Sequence, residues 1–381
     1  MKQKKVIFIF GTRPEAIKLI PLYKYFKKNS KHIKSTIAVT GQHRQMLDQT
    51  LELFKVRPDF DFNLMKDNQS LSTLTSNIFE CISTLIKNER PDLVITQGDT
   101  TTTFVSTMSA FYEGVAIGHV EAGLRSFDKY SPFPEEVNRK MVSILANYHF
   151  APTETSKLNL INEGIKEADI LVSGNTVIDA LHYIKSNISN SSQSEILENH
   201  FLEKYKIDFN KNKKRLLITG HRRESFGEGF GNICKAIKEI ALNNDDIDII
   251  YPVHLNPNVQ KPVFEILDGI ENIFLIDPQD YEPFIFLLMN SYIILTDSGG
   301  VQEEAPSLGK PVLVMRNNTE RPEGVDAGTA KLVGTNVHSI TKSVQLLLDS
   351  DLEYKKMANA INPYGDGNSS EYIHNFLIER I

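Results

Sequence analysis

The chain has 381 residues, 41% apolar and 24% charged, with a formal net charge of −6. That length exceeds one ordinary core and implies two domains, while the acidic balance argues against a general nucleic-acid-binding surface. Cys81 and Cys234 make neither a metal-like spacing nor a disulfide framework, which fits a reducing compartment, and no apolar run approaches the ~20 residues of a membrane span.

Residues 6–10 (VIFIF) read as a buried strand, too short for a secretory leader, with Arg13 and Glu15 following at once. A cytoplasmic location is therefore expected. A helix over 14–28 carries Pro14 in its first turn. Next come a strand at 36–40, helices at 43–54 and 71–88, a strand at 93–96, a helix at 102–112 and a strand at 115–120. A helix at 135–147, a strand at 148–151 and a helix at 153–163 continue the alternation. The stretch 188–212, rich in Ser, Asn and Lys, breaks it and reads as a surface excursion or domain entry. The rhythm restarts with strands at 215–219, 247–253, 273–276, 293–296 and 311–315. Helices at 231–241, 257–267, 281–290 and 301–308 lie between them, and three more follow, the last near 370–381. This βαβα order implies parallel sheets covered on both faces. Two such halves in succession predict an α/β protein of two Rossmann-like, doubly wound domains facing across a cleft. Ligands would bind beyond the carboxyl ends of the strands.

The polar motifs fall at those ends. The first strand runs into Gly11-Thr12-Arg13-Pro14-Glu15-Ala16-Ile17-Lys18, where a tight turn, a helix start and two cations suit an anion. The strand from 93 ends in Gln97-Gly98-Asp99-Thr100, and the next passes through His119-Val120-Glu121-Ala122-Gly123. Glu135 opens a helix after Ser131-Pro132-Phe133-Pro134. Asp99 alone reads equally as a helix cap, and Glu135 as a complement to a helix dipole. Three acids at three such junctions suit proton transfer, because neighbouring carboxyls push each other's pKa values apart.

The second half opens with Gly220-His221-Arg222-Arg223-Glu224. Its Gly227-Glu228-Gly229-Phe230-Gly231 segment has the third glycine misplaced for a dinucleotide fingerprint, so NAD binding is discounted. In Thr296-Asp297-Ser298-Gly299-Gly300-Val301-Gln302-Glu303-Glu304 a strand enters a Ser-Gly-Gly turn whose backbone N–H groups can cradle a diphosphate. Glu304 is placed to accept from ribose hydroxyls, and Arg321 adds another anion contact. No Walker A loop, HExxH, spaced Cys/His set or G-x-S-x-G elbow is present, so neither metal nor cofactor is expected.

These segments in this order, through Asn362-Pro363-Tyr364-Gly365-Asp366-Gly367, closely resemble the non-hydrolysing UDP-N-acetylglucosamine 2-epimerases. The resemblance covers nearly the whole chain. It implies a GT-B-like pair of domains, 1–175 and 176–365, with a C-terminal helix at 366–381 packing back on the first, and a homodimer. The implied reaction is reversible: anti elimination of UDP from UDP-N-acetylglucosamine (UDP-GlcNAc) gives 2-acetamidoglucal. UDP then re-adds with C2 protonated on the opposite face, giving UDP-N-acetylmannosamine (UDP-ManNAc) for cell-surface polysaccharide synthesis. Asp99, Glu121 and Glu135 match the family's catalytic acids. His221, Arg13 and Lys18 would stabilise the departing diphosphate, while Ser298, Gly299, Gly300, Glu304 and Arg321 would hold UDP. Gln279 and Phe284 match positions near the uracil. Gln42, His43 and Gln45 match an activating UDP-GlcNAc site found in some members, two of whose arginines align with Asn68 and Lys214. A hydrolysing 2-epimerase shares the fold and most of the acids. A GT-B glycosyltransferase would use the Ser-Gly-Gly turn and Glu304 equally well, but has little need of three acids.

Overall fold

The computed structural model describes residues 3–41, 44–64 and 69–381. The chain forms two compact units, one of residues 1–180 with 364–381 and the other of residues 181–363. In the first, β1 (Lys4–Phe10), α1 (Arg13–Asn29), β2 (Ile33–Val39), α2 (Arg44–Leu53) and β3 (Phe60–Asp61) build one half. The other half contains α3 (Leu71–Glu89), β4 (Leu93–Gln97), α4 (Thr101–Tyr112), β5 (Ala116–Val120), α5 (Glu135–Leu145), β6 (Tyr148–Ala151), α6 (Glu154–Asn162) and β7 (Ile170–Val172). The seven strands are parallel in the order β3-β2-β1-β4-β5-β6-β7. The order reverses between β1 and β4, so the loops leaving those strands diverge and open a crevice at their carboxyl ends. β1 and β4 are buried on both faces, which is why they read as continuous apolar runs.

Gly11, just past β1, has no room for a side chain: a Cβ would overlap the hydroxyls of Thr40 and Thr102. Those hydroxyls are 2.9 Å apart. Glycine thus lets the turns after β1, β2 and β4 close on one point.

The second unit is reached through α7 (Thr176–Ile188) and opens with α8 (Ser191–Tyr205). Its core elements are β8 (Lys214–Thr219), α9 (Glu228–Asn243), β9 (Ile247–Pro252), α10 (Pro257–Leu267), β10 (Ile273–Ile276), α11 (Tyr281–Met289), β11 (Ile293–Thr296) and α12 (Gly299–Glu304). Then come β12 (Val312–Val314), α13 (Pro322–Asp326), β13 (Ala330–Leu332), α14 (Val337–Asp349) and α15 (Asp351–Ala358). All six strands are parallel in the order β10-β9-β8-β11-β12-β13, with the reversal between β8 and β11.

The Ser- and Asn-rich stretch expected to be a surface excursion is largely the helix α8. It buries only Leu197 and Phe201, one turn apart, so its composition hides it. Phe201 stacks on Phe286 of α11 with centroids 5.7 Å apart. The last helix, α16 (Ser369–Ile378), belongs to the first unit and lies on α1. There His374 meets the Ser30 hydroxyl at 2.5 Å and the edge of the Phe26 ring. Among the described residues no helix is long and apolar enough to cross a membrane.

Candidate active site

The first unit gathers polar groups where β1, β4 and β5 end. After β1, Thr12 caps α1 and shares a capping box with Glu15. The Glu15 carboxylate is fully buried, and its Oε2 accepts from the N–H of Gly11 (3.0 Å) and from the N–H and hydroxyl of Thr12 (both 2.7 Å). Its Oε1 meets the hydroxyls of Thr100 (2.7 Å) and Thr103 (2.9 Å), beyond β4. Arg13, the first residue of α1, is half-buried, and among the described residues its guanidinium has no partner. Lys18, one turn on, donates to both oxygens of Glu121, at 2.6 and 2.7 Å. Its charge, expected to face a diphosphate, is here set against a carboxylate.

Asp99 does not cap α4; Thr100 does, accepting from the N–H of Thr103. Asp99 instead pairs with Arg139 of α5. Its loop is fixed twice more: Asn138 donates to the Asp99 carbonyl at 2.9 Å, and His119 Nε2 donates to the Gly98 carbonyl at 2.8 Å. Burial pushes the Asp99 carboxyl up, Arg139 pulls it down, and the negative charge of Glu121 raises it again.

Glu121 lies at the end of β5 with φ +64°, a left-handed conformation that costs a non-glycine residue about 1 kcal/mol or more. The Gln97 amide, the Asn175 amide (3.1 Å) and Lys18 hold it there. Glu135 is the first residue of α5 and makes no hydrogen bond or ion pair among the described residues. Its neighbour Glu136 points inward instead, accepting from the N–H groups of Ser126 and Phe127 and pairing with Arg139 at 3.3 Å. The structure therefore joins Asp99, Glu121 and Lys18 in one electrostatic cluster, and places Glu135 on the helix that holds Asp99.

In the second unit β8 and β11 end side by side. Asp297, fully buried, accepts from the N–H groups of His221 (2.6 Å) and Arg222 (2.8 Å) and sits 3.5 Å from His221 Nδ1. His254 stacks on the His221 ring at 5.1 Å. Burial pushes the imidazole down, Asp297 opposes this, and His254 and Arg222 reinforce it. The Ser298 N–H is taken by the Thr296 hydroxyl at 2.9 Å. Gly299 starts α12 with the guanidinium groups of Arg222 and Arg321 about 4 Å from where a side chain would stand, and Gly300 faces open space. Arg321 pairs with Glu303, and Glu304 accepts from the Tyr281 hydroxyl at 2.7 Å. The Gln279 amide donates to the Asp277 carbonyl and the Tyr205 hydroxyl, and Phe284 lies half-buried in the first turns of α11.

Of the expected activator site, Gln42 and His43 lie outside the described residues, as does Asn68, and Gln45 is exposed on α2. Lys214 begins β8, at the end of the strand opposite His221, and donates to the Leu348 carbonyl. Sequence reasoning assigned no site role to Glu15, Gln97, Asn138, Arg139, Asn175 or Asp297. Most of them sit within or beside the quoted motifs, so their positions were the available signal.

Comparison with known proteins matches residues 26–378 to the family model described as UDP-N-acetylglucosamine 2-epimerase. A UDP-N-acetylglucosamine 2-epimerase of Campylobacter jejuni is 53% identical over 99% of this chain and 98% of its own. One of Salmonella typhimurium is 52% identical over 96% of each. The crystal structure of UDP-GlcNAc 2-epimerase from Neisseria meningitidis bound to UDP-GlcNAc superposes with a TM-score of 0.88 at 48% identity, over 99% of this chain and all of the other. With two parallel-sheet domains in a GT-B-like pair, this chain belongs to the UDP-N-acetylglucosamine 2-epimerase family and is an isomerase.

Proposed function

We propose that this enzyme interconverts UDP-GlcNAc and UDP-ManNAc at C2 without releasing UDP, by elimination to 2-acetamidoglucal and re-addition. The observation that carries this reading is the pair of coupled carboxyls Asp99 and Glu121 in unlike surroundings. Asp99 is raised by burial against one arginine, whereas Glu121 is held by a lysine and two amides. Such a pair lets one group accept a proton while the other donates. Inversion at C2 needs both acts, one on each face of the sugar. Glu135, with no partner among the described residues, completes the acid set.

The leaving group is UDP, whose charge grows as the C1–O bond breaks. His221 answers that charge. Its imidazole pKa is lowered by partial burial, His254 and Arg222, with Asp297 behind Nδ1 opposing, so negative charge developing opposite favours its protonation. Arg13 adds a cation with no partner among the described residues, and Lys18 adds one shared with Glu121. Ser298, Gly299, Gly300 and Arg321 hold the diphosphate, Glu304 the ribose, and Gln279 and Phe284 the uracil. Because the intermediate is an unsaturated sugar beside free diphosphate, retention of both decides between epimerisation and hydrolysis.

The protein acts as a homodimer in this reading. α5 exposes Val137, Met141 and Ile144 on one stripe, Ile144 at 72%, and its neighbour α4 ends in exposed Phe111 and Tyr112. An exposed apolar stripe of this kind fits a second copy of the same chain. The test is NMR of UDP-GlcNAc in D2O with no acceptor present. Deuterium at C2 in both UDP-sugars supports the proposal. Stoichiometric free N-acetylmannosamine with UDP points to hydrolysis, and an absence of exchange points to a transferase.

A further inference from the structure

Glu15 is a carboxyl with no ion pair among the described residues, buried to 1% exposure and enclosed by five hydrogen-bonding groups. Its two oxygens face different segments. Oε2 takes two backbone N–H groups and a hydroxyl from the turn after β1, the turn that launches Arg13. Oε1 takes the two hydroxyls that flank the start of α4, in the turn that carries Asp99. Glu15 thus hydrogen-bonds both turns with one side chain.

The hydroxyl hydrogens can be counted. Thr103 Oγ1 lies 2.6 Å from the Gln97 carbonyl and 2.9 Å from Glu15 Oε1, and it has one hydrogen to give. The carbonyl, an acceptor only, takes that hydrogen at the shorter distance. Thr103 Oγ1 then faces Oε1 as an acceptor, and the contact is favourable only if Oε1 carries the proton. Thr100, at 2.7 Å, donates to the remaining lone pair. Burial pushes the Glu15 carboxyl up, in the same direction.

We propose that Glu15, held as a neutral acid, is a positioning residue for epimerisation: it clasps the Arg13 turn to the Asp99 turn and sets the distance between the leaving-group cation and the proton-transfer carboxyl. This rests on the reading of Asp99 and Arg13 given above. Glutamine keeps all but one of the neutral acid's bonds: its carbonyl serves the three donors on the β1 side, and only the Thr100 hydroxyl, which an amide nitrogen cannot accept, must turn to another acceptor. Its amide donates to the Thr103 hydroxyl, as the acid proton does. Alanine leaves two buried N–H groups unpaired and releases the clasp.

The experiment compares wild type, Glu15→Gln and Glu15→Ala by kcat for C2 exchange, by UDP affinity from calorimetry, and by thermal unfolding. In a folded Glu15→Ala enzyme kcat should fall on the order of 100-fold, the scale of a misplacement near 1 Å, with a much smaller loss of UDP affinity. Glu15→Gln should restore most of the rate. A folded Glu15→Ala enzyme with wild-type kcat overturns the proposal, and so does a Glu15→Gln enzyme as slow as the alanine variant. If Glu15→Ala does not fold, the Thr100→Val/Thr103→Val pair removes the β4 half of the clasp, and an unchanged kcat there overturns it equally. Carboxyl 13C NMR of wild type, with Glu15 assigned by its loss in Glu15→Gln, needs no turnover. An ionised signal at neutral pH overturns the neutral-acid claim, whereas absence of C2 exchange in wild type refutes only the functional reading.

Discussion

His119 and His149 stand opposite one another across β5 and β6, both buried. His119 spends its Nε2 hydrogen on the Gly98 carbonyl, so any second proton must go to Nδ1, which has no hydrogen-bond partner among the described residues. Burial drives His119 from 6.5 down to about 3, helped by the charges of His149 and Arg125 and opposed by the Gly98 carbonyl. It drives His149 to about 4, with Asp169 and the Ala146 carbonyl opposing. Both folded values lie below the unfolded one, so the unfolded chain binds more protons as pH falls below 6.5. Stability is therefore complete above that point and is lost on acidification. At 1.36 kcal/mol per pH unit, each histidine removes about 2 kcal/mol by about pH 5, and the two together about 4 kcal/mol. Hydrogen exchange of the β4–β6 amides, corrected for intrinsic rates, reads this in the first unit alone. A His119→Gln/His149→Gln variant keeps polar side chains there without a titrating ring, and carboxyl contributions cancel in the comparison. Protection in wild type should fall between pH 7 and pH 5 by about 4 kcal/mol more than in the variant. Equal pH dependence in the two proteins would refute the reasoning.

Other substitutions test the chemistry and the assembly. Asp99→Asn, Glu121→Gln and Glu135→Gln should each lower kcat at least about 100-fold while UDP still binds, and near-normal turnover in any one removes that residue from the acid set. Asp297→Asn keeps an oxygen for the two N–H groups but withdraws the anion behind His221. Its kcat should drop on the order of 100-fold with UDP affinity retained, and a rate equal to wild type would show that His221 works without it. Ile144→Glu places a charge in the apolar stripe of α5 and should yield monomers in light scattering, whereas an intact dimer would put the interface elsewhere.

The strand ends were readable because buried parallel strands are unbroken apolar runs that stop at polar, glycine-bearing turns, as β1 and β4 do at Gly11 and Gly98. β7 and β13, three residues each at sheet edges, are too short to leave a pattern. α8 escaped notice because two apolar anchors in fifteen residues give little periodicity. Within the site, residue type was legible but pairing was not. Lys18 and Glu121 are 103 positions apart, and only the closed sheet brings them to 2.6 Å. The phase of α5 was equally hidden: of two adjacent glutamates, Glu136 turns into the loop and Glu135 has no partner among the described residues.

The return of α16 to α1 has a consequence for how the protein is made. During synthesis the second unit is complete by residue 363, while the first still lacks the segment that covers Tyr25 and Phe26. The unit begun first is thus finished last, and its α1 surface stays open to the nascent-chain environment until residues 369–378 have left the ribosome.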